Sequence, residues 1–152
     1  MKTYDVFEHT ADIGIHAYGK TLKQLFVNAA EGMFSLVTGG KTHNKAGMNF
    51  LVYKKIKAPY FKRRIDCEGP DKEALLIFWL SDLLYGYNTE EILFQDFDIH
   101  ELTDTKLKAV CYGPNIHDVS EPKIEIKAVT FHKTEIRKHP KEGWEATVIF
   151  DI

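Results

Sequence analysis

The clearest pattern in the sequence is a stripe of apolar residues at helical spacing between Thr21 and Gly39. Leucine, phenylalanine, alanine, methionine and valine recur there every three or four positions, which indicates an amphipathic helix with one buried face. Thr21 and Gln24 have the spacing of a capping box, and Gly39 and Gly40 are typical of a helix end. The pattern therefore predicts a first helix between Thr21 and Gly39.

A second helix is predicted to begin near Gly69-Pro70, with the proline in its first turn. Its apolar residues extend from Leu75 to Tyr87 and form a band wider than one face. A band of this width indicates burial on more than one side, and Trp79 is the predicted anchor of the core.

The other segments alternate between apolar and polar residues or consist of short β-rich runs, as strands do. The predicted strands are residues 3–8, 13–17, 48–58, 61–67, 92–101, 105–112, 123–133 and 144–151. Because strands outnumber helices and are not each followed by one, we expect an α+β fold. The expected architecture is a two-layer sandwich with a largely antiparallel sheet and both helices on one face. No shift in composition divides the chain, so residues 1–152 are expected to form a single domain.

Composition narrows the functional classes. Hydrophobic residues make up 44% of the chain, and the formal net charge is -2, which argues against a surface built for nucleic acid or anionic membranes. Cys67 and Cys111 are far apart and form no Cys-x-x-Cys pair, so both are expected to be reduced. The sequence shows no N-terminal signal and no apolar run long enough to span a bilayer. We therefore expect a cytoplasmic protein without membrane association.

Candidate chemistry lies in the turn between the first two predicted strands, which reads His9-Thr10-Ala11-Asp12, and at the last two residues, Asp151 and Ile152. If the first and last strands are neighbours, Asp12, Asp151 and the carboxylate of Ile152 form one acidic site. Oxygen donors suit Ca²⁺ or Mg²⁺, whereas an inward-pointing His9 favours a transition metal. The same residues also suit a plain turn in which Asp12 caps backbone donors and the terminus frays.

Two further stretches carry charge. Residues 53–64 interleave lysines and arginines with aromatic residues, a composition that binds RNA or protects the edge of a hairpin. Lys127 alternates with Val129 and Phe131, so its ammonium either extends outward to solvent or is held against carboxylates or an anionic partner. The sequence contains no nucleophile elbow and no His-Glu-x-x-His motif.

Several segments together resemble the archease family. They include the opening run His9-Thr10-Ala11-Asp12-Ile13-Gly14-Ile15, the helical pair Trp79-Leu80, the run Ile126-Lys127-Ala128-Val129-Thr130-Phe131-His132, and the end Ala146-Thr147-Val148-Ile149-Phe150-Asp151-Ile152. The resemblance covers nearly the whole chain in order. It is weak over residues 41–68, and Glu8 stands where the family usually has aspartate.

The resemblance implies a non-catalytic protein that activates the RNA ligase of tRNA splicing and RNA repair. Such a protein promotes guanylylation of the ligase and its multiple turnover, and contacts RNA at most indirectly. The resemblance also implies a divalent cation, calcium with magnesium or manganese as alternatives, bound by Asp12, Asp151 and Ile152. Lys127 and His9 are the residues expected to act in partner activation. Two rival interpretations remain open, a metal-dependent hydrolase using Asp12 and Asp151 and an RNA-binding or chaperone-like module using residues 53–64.

Overall fold

The structure is a computed structural model that describes residues 2–8, 12–39 and 60–152. The strands and helices within these ranges are β1 (Tyr4–Glu8), β2 (Asp12–Gly19), α1 (Leu22–Thr38), β3 (Phe61–Glu68), α2 (Lys72–Glu90), β4 (Asp96–Leu102), β5 (Lys106–Gly113), β6 (Ala128–His139) and β7 (Gly143–Asp151). A short 3-10 helix covers Ile116–Asp118. The predicted strand at 48–58 lies outside the described residues.

The strands form two antiparallel sheets, a four-stranded one with the order β1-β2-β7-β6 and a three-stranded one with the order β3-β5-β4. Helix α1 packs mainly on β2, and α2 packs on β6 and β3, so α2 contacts both sheets. One hydrophobic core contains residues from both helices and both sheets. The predicted α+β sandwich is confirmed, and the division of its strands into two sheets is an addition to that prediction.

Helix α1 has the predicted ends. The Thr21 hydroxyl accepts a hydrogen bond from the Gln24 backbone N–H at 3.1 Å, while the Gln24 side chain accepts from the Lys20 N–H at 2.9 Å. These bonds satisfy donors that have no partner in the first turn of a helix. Gly39 ends the helix with a φ of 68°, a left-handed conformation that glycine adopts at little cost.

Helix α2 begins later than the sequence predicted. The Asp71 carboxylate caps it by accepting from the Ala74 N–H at 2.8 Å, so the prediction that Pro70 lies in the first turn is wrong. A short acidic side chain at this position satisfies a helical donor, which proline cannot do. Trp79 is fully buried, and its Nε1–H donates to the Phe26 carbonyl at 3.0 Å. This bond joins the two helices and confirms Trp79 as a core residue.

The strand predicted at 123–133 is displaced. Residues 123–127 precede β6. Their backbone forms isolated hydrogen bonds, including one of 2.6 Å from the Lys123 N–H to the Val37 carbonyl. Strand β6 instead continues to His139, where a tight turn leads to Gly143 with a φ of 96°. Alternation in the sequence does not show which backbone groups pair with a neighbour, and this pairing sets the strand ends.

Candidate metal centre

The strands that contain Asp12 and Asp151 are neighbours in the larger sheet. Strand β2 pairs with β7 in antiparallel register, and this register places Asp12 directly opposite Asp151. Cβ atoms of directly opposed residues are about 4.5–5.5 Å apart, and their side chains extend from the same face. The third predicted donor belongs to Ile152, which follows Asp151 and is 40% exposed. The fold therefore brings together the three residues that the sequence predicted as cation ligands.

The carboxylate of Asp12 lacks a partner in the part of the chain that the structure describes. Its Oδ1 atom is buried and accepts no hydrogen bond, whereas Asp151 is exposed. A buried polar atom without a partner is uncommon and costs free energy unless an ion or water satisfies it. Two opposed carboxylates with such an oxygen fit a hard divalent cation, because carboxylate oxygens are its preferred ligands.

The described side chains alone do not complete a metal site. Among the histidine, cysteine, aspartate and glutamate residues in the described ranges, no group of three or more is placed to hold a metal ion. The candidate centre therefore needs a donor beyond Asp12 and Asp151, such as the carboxylate of Ile152. His9, the other predicted site residue at this turn, lies outside the described residues.

The Phe7 ring lies over Gly14, two residues along β2 from Asp12. Phe7 of β1 is opposite Gly14 of β2, and a Cβ atom on Gly14 would lie 2.3 Å from the Phe7 Cζ. The Phe7 ring also lies 4.7 Å from the His16 ring, measured between centroids. Since Asp12, Gly14 and His16 alternate on one face, the absent side chain at Gly14 leaves space for the ring between them. The Phe7 ring therefore covers Gly14 on the face from which Asp12 extends.

His16 was not among the predicted site residues. Its Nδ1 lies 3.1 Å from the Thr147 hydroxyl on β7, so it links the same two strands that carry Asp12 and Asp151. His16 lies four residues along β2 from Asp12, on the same face. This alternation is visible in the sequence, and it is the signal that would have drawn attention to this histidine.

Lys127 lies next to Asp151 through its backbone. The Lys127 N–H donates to the Asp151 carbonyl at 2.8 Å, and its side chain is exposed. Lys127 immediately precedes the first residue of β6. Among the described residues, its ammonium forms no ion pair with a carboxylate. An exposed ammonium at this place is available to an anionic partner group.

The basic segment is only partly described, since residues 53–59 lie outside the described ranges. In its remaining part, Arg63 binds both carboxylate oxygens of Glu90, and Arg64 lies 3.3 Å from Asp66. These contacts neutralise two of its positive charges. They make this part of the segment a weaker candidate for binding RNA.

Residues 4–152 match the family described as the Archease protein family (MTH1598/TM1083). The chain belongs to the archease family. A relative named protein archease from Methanosarcina acetivorans is 38% identical over 99% of this chain and 97% of its own length. Another from Pyrococcus abyssi is 35% identical, and the match covers both chains completely. The family predicted from the sequence is therefore confirmed.

A solved archease-like structure has the same overall fold. The solution structure of Methanobacterium thermoautotrophicum protein 1598 matches with a TM-score of 0.70 and 34% identity, covering 100% of both chains. In this archease, no helix in the described ranges is long and apolar enough to cross a membrane. Both cysteines are free and buried, as predicted for reduced thiols.

Proposed function

We propose that this archease is an accessory protein of the RNA ligase of tRNA splicing and RNA repair. In this proposal it promotes guanylylation of the ligase and allows multiple turnover, and it has no catalytic activity of its own. Membership of the archease family along residues 4–152 supports the proposal. Burial raises the pKa of Cys111 to about 12 and also raises that of Cys67, which leaves both thiols poor nucleophiles.

The observation that carries the proposal is that Asp12 lies directly opposite Asp151 on the neighbouring strand. The Oδ1 atom of Asp12 is also buried and has no hydrogen-bond partner among the described residues. We propose that Asp12, Asp151 and the Ile152 carboxylate hold a divalent cation, with calcium first and magnesium or manganese as alternatives. A bound cation supplies positive charge that phosphate oxygens can ligate. Without it, the two aspartates repel both each other and an anionic partner.

Lys127 contributes a second positive group in this proposal. Its backbone bond to the Asp151 carbonyl fixes the chain beside the acidic pair, while its exposed side chain extends from the same end of the sheet. A flexible ammonium is well suited to a phosphate or carboxylate of the ligase. We propose that this end of the molecule docks near the nucleotide site of the ligase, where the placement of charge lowers barriers.

The decisive assay is multiple-turnover joining of a 2′,3′-cyclic phosphate end to a 5′-hydroxyl end, with limiting ligase and GTP. Asp12→Ala and Asp151→Ala should abolish stimulation, whereas Asp98→Ala, which removes an exposed carboxylate from the other sheet, should not. Lys127→Met keeps the apolar stem and should lower stimulation without unfolding. Two glycines added after Ile152 should weaken stimulation if its carboxylate is a ligand.

The RNA-binding alternative makes the opposite prediction. Neutralising Lys54, Lys55 and Lys57 should spare most of the stimulation if the acidic site is responsible. If the aspartate variants are fully active and the lysine variant is folded but inactive, the acidic site is not responsible for activation. RNA binding by residues 53–64 would then be the better explanation. Phosphoester turnover by this archease alone, lost in Asp12→Ala, would instead establish the hydrolase interpretation.

A further inference from the structure

Strand β6 contains a large irregularity close to the acidic pair. Its register with β7 shifts between Thr130, which is opposite Ile149, and Glu135, which is opposite Thr147. Residues 131–134 of β6 therefore face the single β7 residue Val148. Bulges of this kind often redirect side chains near functional sites. Since Ala128 is opposite Asp151, the bulge begins three residues along β6 from the acidic pair.

The bulge is held in a defined conformation by Thr130. The Thr130 hydroxyl donates to the Ile149 carbonyl at 2.8 Å and accepts from the His132 N–H at 3.1 Å. The Thr134 hydroxyl donates to the Thr130 carbonyl at 3.3 Å. Lys133 has a φ of 54°, a left-handed conformation that is uncommon for residues other than glycine. Glycine or asparagine would adopt this conformation more easily than lysine.

The side chains that the bulge presents are aromatic and cationic. Phe131 is 57% exposed, and its ring meets that of Phe78, which is 36% exposed, at a centroid distance of 6.0 Å and an angle of 81°. Exposed Lys133 lies in the bulge, and exposed Lys127 lies at the end of the same edge. In the described ranges neither ammonium has an ion-pair partner. Exposed aromatic rings and lysines near one edge strand suit the bases and phosphates of a single-stranded nucleic acid.

We propose that residues 131–134, together with Phe78 and Lys127, form a direct contact site for single-stranded RNA. Phe131 stacks on a base, and the two lysines contact phosphates on either side. This goes beyond the proposed function and revises the expectation that RNA is contacted at most indirectly. Exposed rings can stack on bases and the two lysines suit phosphates, which is the combination that binds single-stranded RNA.

Fluorescence anisotropy with a labelled single-stranded oligouridylate of twelve nucleotides tests the proposal without ligase. Phe131→Ser should raise the dissociation constant at least fivefold at low salt, and Phe131→Tyr should restore binding because it keeps the ring. Lys133→Asn keeps a residue that tolerates the left-handed conformation, and it should reduce the slope of log K against log salt by about 0.7, the value of one lost phosphate contact.

Two matched variants control for general surface effects. Tyr85→Ser removes another exposed aromatic residue of α2, and Lys141→Asn removes a lysine at the opposite end of the β6–β7 hairpin. Both should bind the oligonucleotide within twofold of the original protein. The proposal is overturned if the original protein does not bind it at low salt, or if folded Phe131→Ser and Lys133→Asn bind it normally. If Phe131→Ser and Lys133→Asn bind RNA normally but no longer co-elute with the ligase, the surface is a protein-docking site and the proposal is overturned.

Discussion

Asp12 lies directly opposite Asp151 on neighbouring antiparallel strands, and one oxygen of Asp12 is buried without a hydrogen-bond partner among the described residues. Two like charges in this arrangement destabilise a sheet unless something is bound between them. If the pair binds a divalent cation as proposed, the stability of the fold should rise with the concentration of that cation.

Asp12→Asn should have opposite effects with and without calcium. In a chelator, the variant should be more stable than the original protein by about 0.2–1 kcal/mol, because one of two repelling charges is removed. With free calcium at 100 times its dissociation constant, the original protein should gain about 2.7 kcal/mol and the variant should gain much less. Urea unfolding in both buffers measures the difference. Equal calcium stabilisation of both proteins would remove Asp12 from the site.

Gly14→Ala should destabilise the sheet beside the acidic pair. The added Cβ would lie 2.3 Å from the Phe7 Cζ, so the ring must move. Because Phe7 is only partly buried and its ring can move aside, the expected loss is near the low end of the about 1–3 kcal/mol that overpacking costs in a core. Combining Gly14→Ala with Phe7→Leu should recover part of the loss, since leucine is smaller. Urea unfolding of the single and double variants measures this coupling, and strictly additive effects would show that the ring and Gly14 do not interact.

Trp79→Ala should be among the most destabilising changes in this chain. The side chain is fully buried and donates from Nε1 to the Phe26 carbonyl, so its removal leaves a cavity between the helices. The expected loss is about 3–5 kcal/mol. Trp144→Ala is the matched control, because Trp144 is only partly buried and should lose less. Similar losses for both tryptophans in thermal or urea unfolding would contradict this view of the core.

The Glu91–His117 contact should stabilise the fold more in acid than at alkaline pH. The Glu91 carboxylate lies 2.9 Å from His117 Nε2, and this hydrogen bond raises the pKa of His117 above its ordinary value. The stabilisation is therefore fully present below the pKa that His117 has in the unfolded chain. It is lost as the pH rises through the higher pKa that His117 has in the folded protein. Because the His117 side chain is exposed, we expect a small effect.

NMR titration of the His117 ring should show a lower pKa in Glu91→Gln than in the original protein. The difference in melting temperature between the two should be larger at pH 5 than at pH 8. Glu101→Gln, which changes an exposed glutamate of β4, is the control and should leave the His117 titration unchanged. A melting difference that grows toward pH 8 would have the wrong sign for this contact.

The sequence by itself determined the α+β class and both helices. It also showed that candidate cation ligands lie near both ends of the chain. These features depend on local signals: the apolar stripe before Gly39, the cap at Thr21, the wide apolar band around Trp79 and the carboxylates at Asp12 and Asp151. Each signal acts through neighbouring residues or through side-chain chemistry that is independent of the fold. The first cap and the left-handed end at Gly39 were confirmed for the same reason.

The tertiary structure alone decided which backbone groups pair. It placed Asp12 opposite Asp151, divided the strands into two sheets, began β6 after Lys127 and looped out residues 131–134. The register of β2 and β7 joins residues more than a hundred positions apart in the sequence. Alternation is the same for every register that keeps the apolar face inward. The buried oxygen of Asp12 and the ring of Phe7 over Gly14 arise only after that register is set.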